Sequence, residues 1–295
     1  MFGQYFGNYL VGKNKISQSQ FEDVMKQQRN ARVKLGLIAV AEKLLTTKQA
    51  EEVNLLQTQM DKRFGDIAIE KGYLLSEEVT HLLNMQGNPY LKFVQCLTEN
   101  NIMTLEDVEL NLDDFKKEND FSETDLNSIK SGDIDQIISV FVNVDIPFYG
   151  ECISLVLRNI VRFIDNQIMI KKAYTVKDYH FGNMSCQSLV GDHQIFVGLA
   201  CKNKELLSIA EPYAKENFTE VDEDAFDAVC EFINCTNGLY ASKLSLEGIN
   251  IDMTPPLSYI NKEITSQGEI YVVPVYISGA QTDLLVVVNN EVEIN

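Results

Sequence analysis

Apolar residues recur with a period of 29 residues over the first 120 positions of the chain. Four segments begin at Phe6, Leu35, Phe64 and Phe93. Each segment predicts a short helix, a turn and a longer helix, with further apolar residues in register at its eleventh and sixteenth positions. These positions are Ile16, Leu45, Leu74 and Met103, then Phe21, Ala50, Val79 and Val108. One unit cannot bury its apolar stripe alone, so we predict that four units stack as an all-α domain over residues 1–120.

Helix-capping residues support the same division into repeats. Ser17 and Thr46 stand where the longer helix of the first two repeats begins, and each has a Gln three residues later. This spacing is typical of a capping box, in which side chain and backbone exchange hydrogen bonds at the helix start. Thr104 takes the same place in the fourth repeat.

The second half of the chain changes from helical to strand periodicity. The chain is polar and acidic from Lys116 to Asp135 and apolar again from Ile137, and we predict a linker with one short helix over residues 121–141. After Pro147, a helical pattern covers Gly150–Ile168, and further helices are predicted over Lys204–Lys215 and Glu223–Leu246. The predicted strands are Met184–Val190, Gln194–Cys201, Ile249–Met253, Ile270–Ile277 and Asp283–Val288. Long helices among antiparallel strands predict an α+β domain over residues 142–295, with an α/β layered arrangement and the long helices on one sheet face.

Composition and charge narrow the classes of function. The 295-residue chain has 25 Lys and Arg against 43 Asp and Glu, which gives a formal net charge of −18. Such a surface repels phosphate backbones and anionic lipid headgroups, so we expect neither nucleic-acid nor membrane binding. The start of the chain does not resemble a signal peptide, and no apolar run is long enough to cross a bilayer. We therefore expect a cytoplasmic protein.

The cysteines do not indicate a metal site. None of the six forms a Cys-x-x-Cys pair or has a His at metal-ligand spacing. We predict that they are buried thiols in a reducing compartment and that the chain binds no metal.

The predicted helix Glu223–Leu246 carries the candidate chemistry. Its inward stripe is Phe226, Cys230, Ile233, Asn237, Ala241 and Leu244. A second face, at spacings of four, three and four, presents Asp227, Glu231, Asn234 and Gly238. A carboxylate and a carboxamide thus lie side by side, followed by a glycine that would let another backbone approach.

An ordinary polar helix face is the alternative, because a Glu three residues before an Asn is common. The same spacing occurs at Glu51/Asn54 and Glu247/Asn250. Only the Glu231 pair has an acidic residue four positions earlier and a following strand that ends in Thr254-Pro255-Pro256.

This combination resembles the CheC and CheX family of bacterial chemotaxis phosphatases. Their motif is an Asp or Ser, three residues, a Glu, two residues and an Asn on one helix, and CheX adds a Thr-Pro-Pro turn after the next strand. The earlier long helix here has no Glu-x-x-Asn, so we expect one active face per chain, as in CheX. The resemblance implies a CheX-like phosphatase, a hydrolase that removes the phosphoaspartate phosphoryl group of a CheY-like response regulator in chemotaxis or two-component signalling. It also implies a family-type homodimer paired through the sheet.

The resemblance also assigns roles to the residues of this face. Asn234 would orient a water, because an amide offers both a donor and an acceptor, and Glu231 would pair with the receiver's active-site Lys. Asp227 and Gly238 would contact the partner, although Asp227 could instead serve the first turn of the helix as a cap. The chain itself would bind no cofactor, since Mg²⁺ belongs to the receiver. A non-catalytic adaptor that binds a receiver is the rival interpretation.

The repeats resemble the N-terminal domains of type II secretion and type IV pilus ATPases. In an MshE-like subset, tandem units of this kind bind cyclic di-GMP, and the matching residues of the third repeat are Arg63, Gly65, Gly72 and Gln86. The second repeat departs from the motif, with Lys34 for Arg and Lys43 for Gly. The alternative is that the glycines end helices in a scaffolding domain that tunes the activity or location of the phosphatase. Calorimetry with cyclic di-GMP would distinguish the two.

Overall fold

The computed structural model describes residues 1–60, 62–142 and 148–295, which divide into two compact units, Met1–Asp133 and Ile134–Asn295. Pro147 lies outside the described residues. The first unit is helical and the second combines helices with an antiparallel sheet, so the chain is of the mixed α and β class. Within the described ranges, no helix has both the length and the apolar character needed to span a bilayer.

The first unit consists of helix pairs that repeat along the chain. Its helices are α1 Phe2–Gly12, α2 Gln18–Gln28, α3 Leu35–Ala41, α4 Thr47–Gln59, α5 Phe64–Glu70, α6 Ser76–Asn84, α7 Pro89–Glu99, α8 Leu105–Glu118 and α9 Glu123–Ser131, with a 3-10 turn at Met85–Gly87. The second helix of each pair begins 29 residues after the previous one. The predicted caps are confirmed, because Ser17, Thr46 and Thr104 each accept a hydrogen bond from the backbone three residues on.

Each repeat turns between its two helices through one residue with left-handed backbone conformation. These residues are Asn14, Lys43, Gly72 and Asn101, with φ of 55°, 58°, 68° and 53°. Glycine adopts this conformation without steric cost, asparagine tolerates it, and lysine is strained in it. The turn geometry therefore explains Gly72 without any ligand.

Glycines at the second position of a repeat let its two helices approach closely. An added Cβ would lie 2.2 Å from the Phe21 ring at Gly7 and 2.6 Å from Val79 Cγ1 at Gly65. Phe21 and Val79 are the sixteenth-position residues of the same repeats, so each glycine receives the apolar side chain of its own longer helix.

The segment 121–141, predicted as a linker with one short helix, contains two helices. Helix α9 belongs to the first unit and buries Leu126 and Ile129 there, whereas α10, Ile134–Phe141, begins the second unit and buries Ile137 and Ile138. Burial of these four apolar side chains supplies the stability that a solvated linker lacks. The division into functional domains stays a prediction.

The second unit is built on a sheet with the strand order β1-β5-β6-β3-β2-β4. Its strands are β1 Met169–Ile170, β2 Tyr174–Gly191, β3 Ile195–Cys201, β4 Ile251–Met253, β5 Leu257–Ile277, β6 Ala280–Val288 and β7 Val292–Ile294. Strand β2 also pairs with β5, which closes β2, β5, β6 and β3 into a ring, and β7 pairs with β5. The ring encloses apolar residues that include Met184, Cys186 and Val272.

The long strand β2 pairs with three strands, of which β4 pairs with residues 189–191. Residues 174–186 pair with β5 and residues 183–189 pair with β3. At Gly182 the strand lies so close to the end of β3 that an added Cβ would sit 1.9 Å from the carbonyl oxygen of Lys202. A side chain larger than hydrogen does not fit there.

Three further helices contact one another, and the first and third of them contact strands of this sheet. They are α11 Tyr149–Phe163, α12 Leu207–Ala214 and α13 Glu223–Leu246. In the buried interface of α11 and α13, Asn159 Nδ2 donates a hydrogen bond to Thr236 Oγ1 at 3.2 Å. The predicted bounds of α13 are confirmed, whereas α11 ends at Phe163 and not at Ile168, which lies buried just before β1.

All five predicted strands are present, but two are longer than the sequence indicated. Strand β2 begins at Tyr174 and β5 begins at Leu257, well before the predicted starts at Met184 and Ile270. These added halves pair with each other and expose many side chains. Apolar alternation is weak where neither face of a strand is fully buried, so the pattern did not reveal them.

Exchange of the residues at the second and third repeat turns should have opposite effects on stability. Lys43→Gly removes a strained left-handed residue and should raise the free energy of unfolding by up to about 1 kcal/mol. Gly72→Lys should lower it by about as much. Thermal unfolding followed by circular dichroism would show shifts of a few degrees in each direction. Lys43→Gln, which removes the charge but keeps the strain, should leave the midpoint unchanged. A stabilising Lys43→Gln would contradict the role of backbone strain.

Candidate functional site

Helix α13 presents the predicted face to solvent. Asp227 and Glu231 are exposed and Asn234 and Gly238 are half-buried. Every residue of the predicted inward stripe is buried except Ala241, which is half-buried. The helix therefore has the orientation that its sequence indicated.

Asp222, and not Asp227, caps this helix. The Asp222 side chain accepts a hydrogen bond from the Ala225 backbone N–H at 3.0 Å. Asp227 lies in the second turn on the exposed side, beyond the reach of the unpaired N–H groups of the first turn. The capping role considered for Asp227 is thus taken by another residue.

The Asn234 amide is held from below by Gln187 on β2. Gln187 Nε2 donates to Asn234 Oδ1 at 2.8 Å and to the Thr254 carbonyl oxygen at 2.8 Å. Gln187 Oε1 accepts a hydrogen bond from Asn237 Nδ2 at 3.0 Å. Gln187 and Asn237 are 2% and 1% exposed. One buried amide therefore joins the sheet, the outer helix face and the turn after β4.

These contacts divide the Asn234 amide into an inner and an outer side. Its oxygen faces Gln187, and its nitrogen makes no hydrogen bond within the described part of the chain. No buried side-chain nitrogen or oxygen lacks a partner there, so Asn234 Nδ2 lies at the surface. The sequence predicted an amide that offers donor and acceptor equally. The structure instead presents the donor outward and engages one of the two oxygen lone pairs inside.

The turn Thr254-Pro255-Pro256 is fastened to β2 next to Gln187. Thr254 N–H donates to the Ser188 carbonyl oxygen at 2.9 Å, and Thr254 Oγ1 accepts from the Ser188 N–H at 3.2 Å. The two prolines have no N–H group to continue the ladder, so the chain leaves β4 here before β5 begins. The Thr-Pro-Pro element thus fixes the carbonyl group that orients Gln187.

Glu231 has a thiol as its neighbour on the exposed face. Cys235 Sγ lies 3.4 Å from Glu231 Oε1, and Tyr213 Oη donates to Cys235 Sγ at 3.3 Å. Burial, followed by the Cys235 hydrogen bond, raises the pKa of Tyr213, which keeps the phenol as a donor. Cys235 is exposed, contrary to the expectation of buried cysteines, whereas the other five are buried.

Gly238 has free space on its outer side. An added Cβ would meet only Met253, at 3.7 Å from Cε and 4.0 Å from Sδ, which are ordinary contacts. Nothing inside the unit therefore requires glycine at this helical position, where alanine would be more stable by about 1 kcal/mol.

The residues predicted for a nucleotide have structural contacts of their own. Gln86 Nε2 donates to the Val33 carbonyl oxygen at 2.7 Å, and Gln86 Oε1 accepts from Arg32 Nε at 3.1 Å. Gly65 is buried against Val79, Gly72 forms the repeat turn, and Arg63 is exposed at the start of α5. Cyclic di-GMP binding stays a prediction. In the ranges that the structure describes, no group of three or more His, Cys, Asp and Glu is placed to hold a metal ion.

Sequence reasoning missed Gln187. One signal was present in the sequence. The polar Gln187 lies within the predicted strand Met184–Val190, and the alternation of side chains places it on the same face as Ser185 and Leu189. A polar residue in a buried strand requires a partner, but the partner is 47 positions away in the chain.

Residues 184–276 match the family model described as chemotaxis phosphatase CheX, whereas none of the curated proteins matches the chain. Similar solved structures include the chemotaxis protein CheX from Desulfovibrio desulfuricans, with 11% identity, a TM-score of 0.41, and coverage of 46% of this chain and 95% of that chain. A CheC-like superfamily protein from Shewanella sp. PV-4 has 22% identity, a TM-score of 0.42, and coverage of 51% and 99%.

The complex of CheX, CheY, BeF3 and Mg²⁺ from Borrelia burgdorferi has 16% identity, a TM-score of 0.38, and coverage of 48% of this chain and 95% of that chain. None of these comparisons confirms the predicted resemblance of the repeats to pilus ATPases. The matched segment 184–276 contains Gln187, α13 and the Thr254-Pro255-Pro256 turn. The part of the chain that carries the candidate site is therefore similar to the chemotaxis phosphatase CheX family.

Proposed function

We propose that the second unit binds a CheY-like receiver domain and hydrolyses its phosphoaspartate. One observation carries this proposal: a half-buried Asn234 amide, fixed from inside, presents its N–H donors at the surface three residues after the exposed Glu231. The match of residues 184–276 to the chemotaxis phosphatase CheX model supports it. A polar helix face with no function needs no buried partner to fix one of its amides.

The reaction requires little covalent chemistry from this chain. A water oxygen attacks phosphorus as the bond from phosphorus to the aspartate oxygen breaks. The receiver regains its aspartate carboxylate, and both protons of the water end on the inorganic phosphate that is released. The receiver contributes its Mg²⁺ and Lys. An N–H of Asn234 donates to the water oxygen and leaves its other lone pair to attack in line. Alignment of this kind accounts for a large share of the acceleration in such reactions.

The charge of each residue suits its role. The Asn234 amide is neutral and adds no repulsion against the phosphoryl oxygens. Glu231 is negative and exposed one turn away, which suits an ion pair with the receiver's Lys better than a general base beside a dianion. Asp227 lies one turn further along the same exposed face and extends the docking surface.

Replacement of Asn234 by Ala tests the catalytic role. The variant loses the donor that aligns water, so kcat for a phosphorylated receiver in large excess should fall by about 10²-fold or more. The KM should change little, since Glu231 remains. Phosphate release measured under turnover conditions gives both parameters.

Turnover at the wild-type rate by a folded Asn234→Ala protein would reject the phosphatase assignment. If that protein still bound the receiver, the adaptor interpretation would replace it. Circular dichroism and the unfolding midpoint serve as the control for folding.

The Gly238→Ala variant tests whether the receiver contacts this position of α13, because its effects on KM and on stability can be measured separately. The added methyl fits inside the unit and improves helix propensity, so the unfolding midpoint should rise. If the receiver's backbone approaches this glycine, the methyl should raise KM by roughly fivefold or more. An unchanged KM would show that the receiver does not contact Gly238.

Chemical modification of Cys235 tests whether the reaction takes place next to Glu231. Burial raises the pKa of Cys152 and Cys186 to about 12 each, so maleimide should react first with the exposed Cys235. The adduct would stand beside Glu231 and should abolish most of the turnover. A Cys235→Ser protein should keep its activity in the presence of the reagent. Full activity of the modified protein would place the site elsewhere.

A further inference from the structure

The strongest unexplained feature of the second unit is the amide of Gln187 in its helix–sheet interface. The residue lies in the middle of β2, opposite Val197 of β3, and is 2% exposed. A buried amide is destabilising wherever its hydrogen bonds are unmade, and an apolar side chain of the same size would pack without that requirement. Its presence calls for a role that an apolar residue cannot perform.

The orientation of the Gln187 amide follows from its partners. The Thr254 carbonyl oxygen can only accept, so the group that faces it must be Nε2. The second hydrogen of Nε2 goes to Asn234 Oδ1, and Oε1 accepts from Asn237. A flipped Gln187 would place oxygen against the Thr254 oxygen, and a flipped Asn234 would place one NH₂ group against another.

We infer that Gln187 is a positioning residue for the phosphatase reaction, an inference that rests on the proposed function. It holds Asn234 Oδ1 inward and directs Asn234 Nδ2 to the surface where water and phosphoryl group would meet. It removes the rotational freedom that an exposed amide otherwise has. Its donation to Oδ1 also polarises the amide, which makes the outward N–H groups better donors.

A purely structural role makes a different prediction. If Gln187 only joined α13 to the turn after β4, its replacement would act through stability and would not depend on Asn234. If it acts through Asn234, its effect should disappear once the Asn234 amide is gone. A double-mutant cycle measures this difference directly.

Gln187→Met is the suitable variant because methionine keeps the length and approximate volume and removes only the amide. We expect kcat for the phosphorylated receiver to fall by roughly 10²-fold, as for a misaligned reacting group, with KM unchanged. The double variant Gln187→Met/Asn234→Ala should have the same kcat as Asn234→Ala alone.

Asn159→Leu is the matched control for lost stability. It removes a different buried hydrogen bond to α13, the one to Thr236, and does not touch Gln187 or Asn234. Its unfolding midpoint should fall while its kcat stays at the wild-type value below that temperature.

Three outcomes overturn the inference. They are wild-type kcat in folded Gln187→Met, effects of Gln187→Met and Asn234→Ala that multiply in the double variant, and a loss of kcat in Asn159→Leu as large as that in Gln187→Met. Wild-type turnover of Asn234→Ala would instead reject the proposed function, and this inference with it.

A second measurement uses the unmodified protein and holds even if Gln187→Met does not fold. In nuclear magnetic resonance spectra of the full chain, both side-chain amide protons of Gln187 should exchange slowly with solvent and those of Asn234 should exchange fast. Slow exchange of the Asn234 protons or fast exchange of the Gln187 protons would contradict the orientation on which the inference depends.

Discussion

One hydrogen bond inside the helix–sheet interface determines what the outer face of α13 offers to a partner. The 2.8 Å contact between Gln187 Nε2 and Asn234 Oδ1 connects a buried strand residue to a surface residue. An amide on a helix surface ordinarily samples several rotamers, whereas one whose oxygen is bound from below has a single orientation. A buried residue of the sheet therefore fixes the orientation of the exposed amide of Asn234, and this surface group is as ordered as a side chain of the core.

The sheet is suited to this role because its long strands close on themselves. Strand β2 pairs with β5 along one part and with β3 along another, so its backbone near Gln187 is fixed by neighbours on either side. Thr254 adds hydrogen bonds to Ser188, the next residue along. Closed pairing of this kind leaves little freedom for small displacements, as the proposed alignment of a water by Asn234 would require.

The sequence predicted those features that depend on local order. The bounds of α13, the side that it buries and the helix caps of the repeats all follow from spacings of three and four residues and from short-range capping. The 29-residue period also predicted the helix starts of the first unit. These elements could be predicted from the sequence because each residue's role depends on neighbours within one or two helical turns.

Features that depend on distant partners were not predicted. The polar halves of β2 and β5 stabilise each other across about 80–90 positions, and neither shows a pattern by itself. Gln187 gains its contacts with Asn234 and Asn237 only when α13 lies over it. The left-handed backbone that Gly72 shares with Asn14, Lys43 and Asn101 was likewise not predicted, because it is visible only as a dihedral angle.

The position of Gln187 along β2 has a consequence for how this unit can change in evolution. Side chains alternate between the two faces of a strand, and Met184 and Cys186 point into the ring while Gln187 points to α13. Loss or gain of one residue between Gly182 and Gln187 would exchange these faces and set a thiol or a hydroxyl against Asn234. Only an even number of inserted residues along this stretch would keep Gln187 on the face of β2 that meets α13, and the proposed chemistry depends on that face.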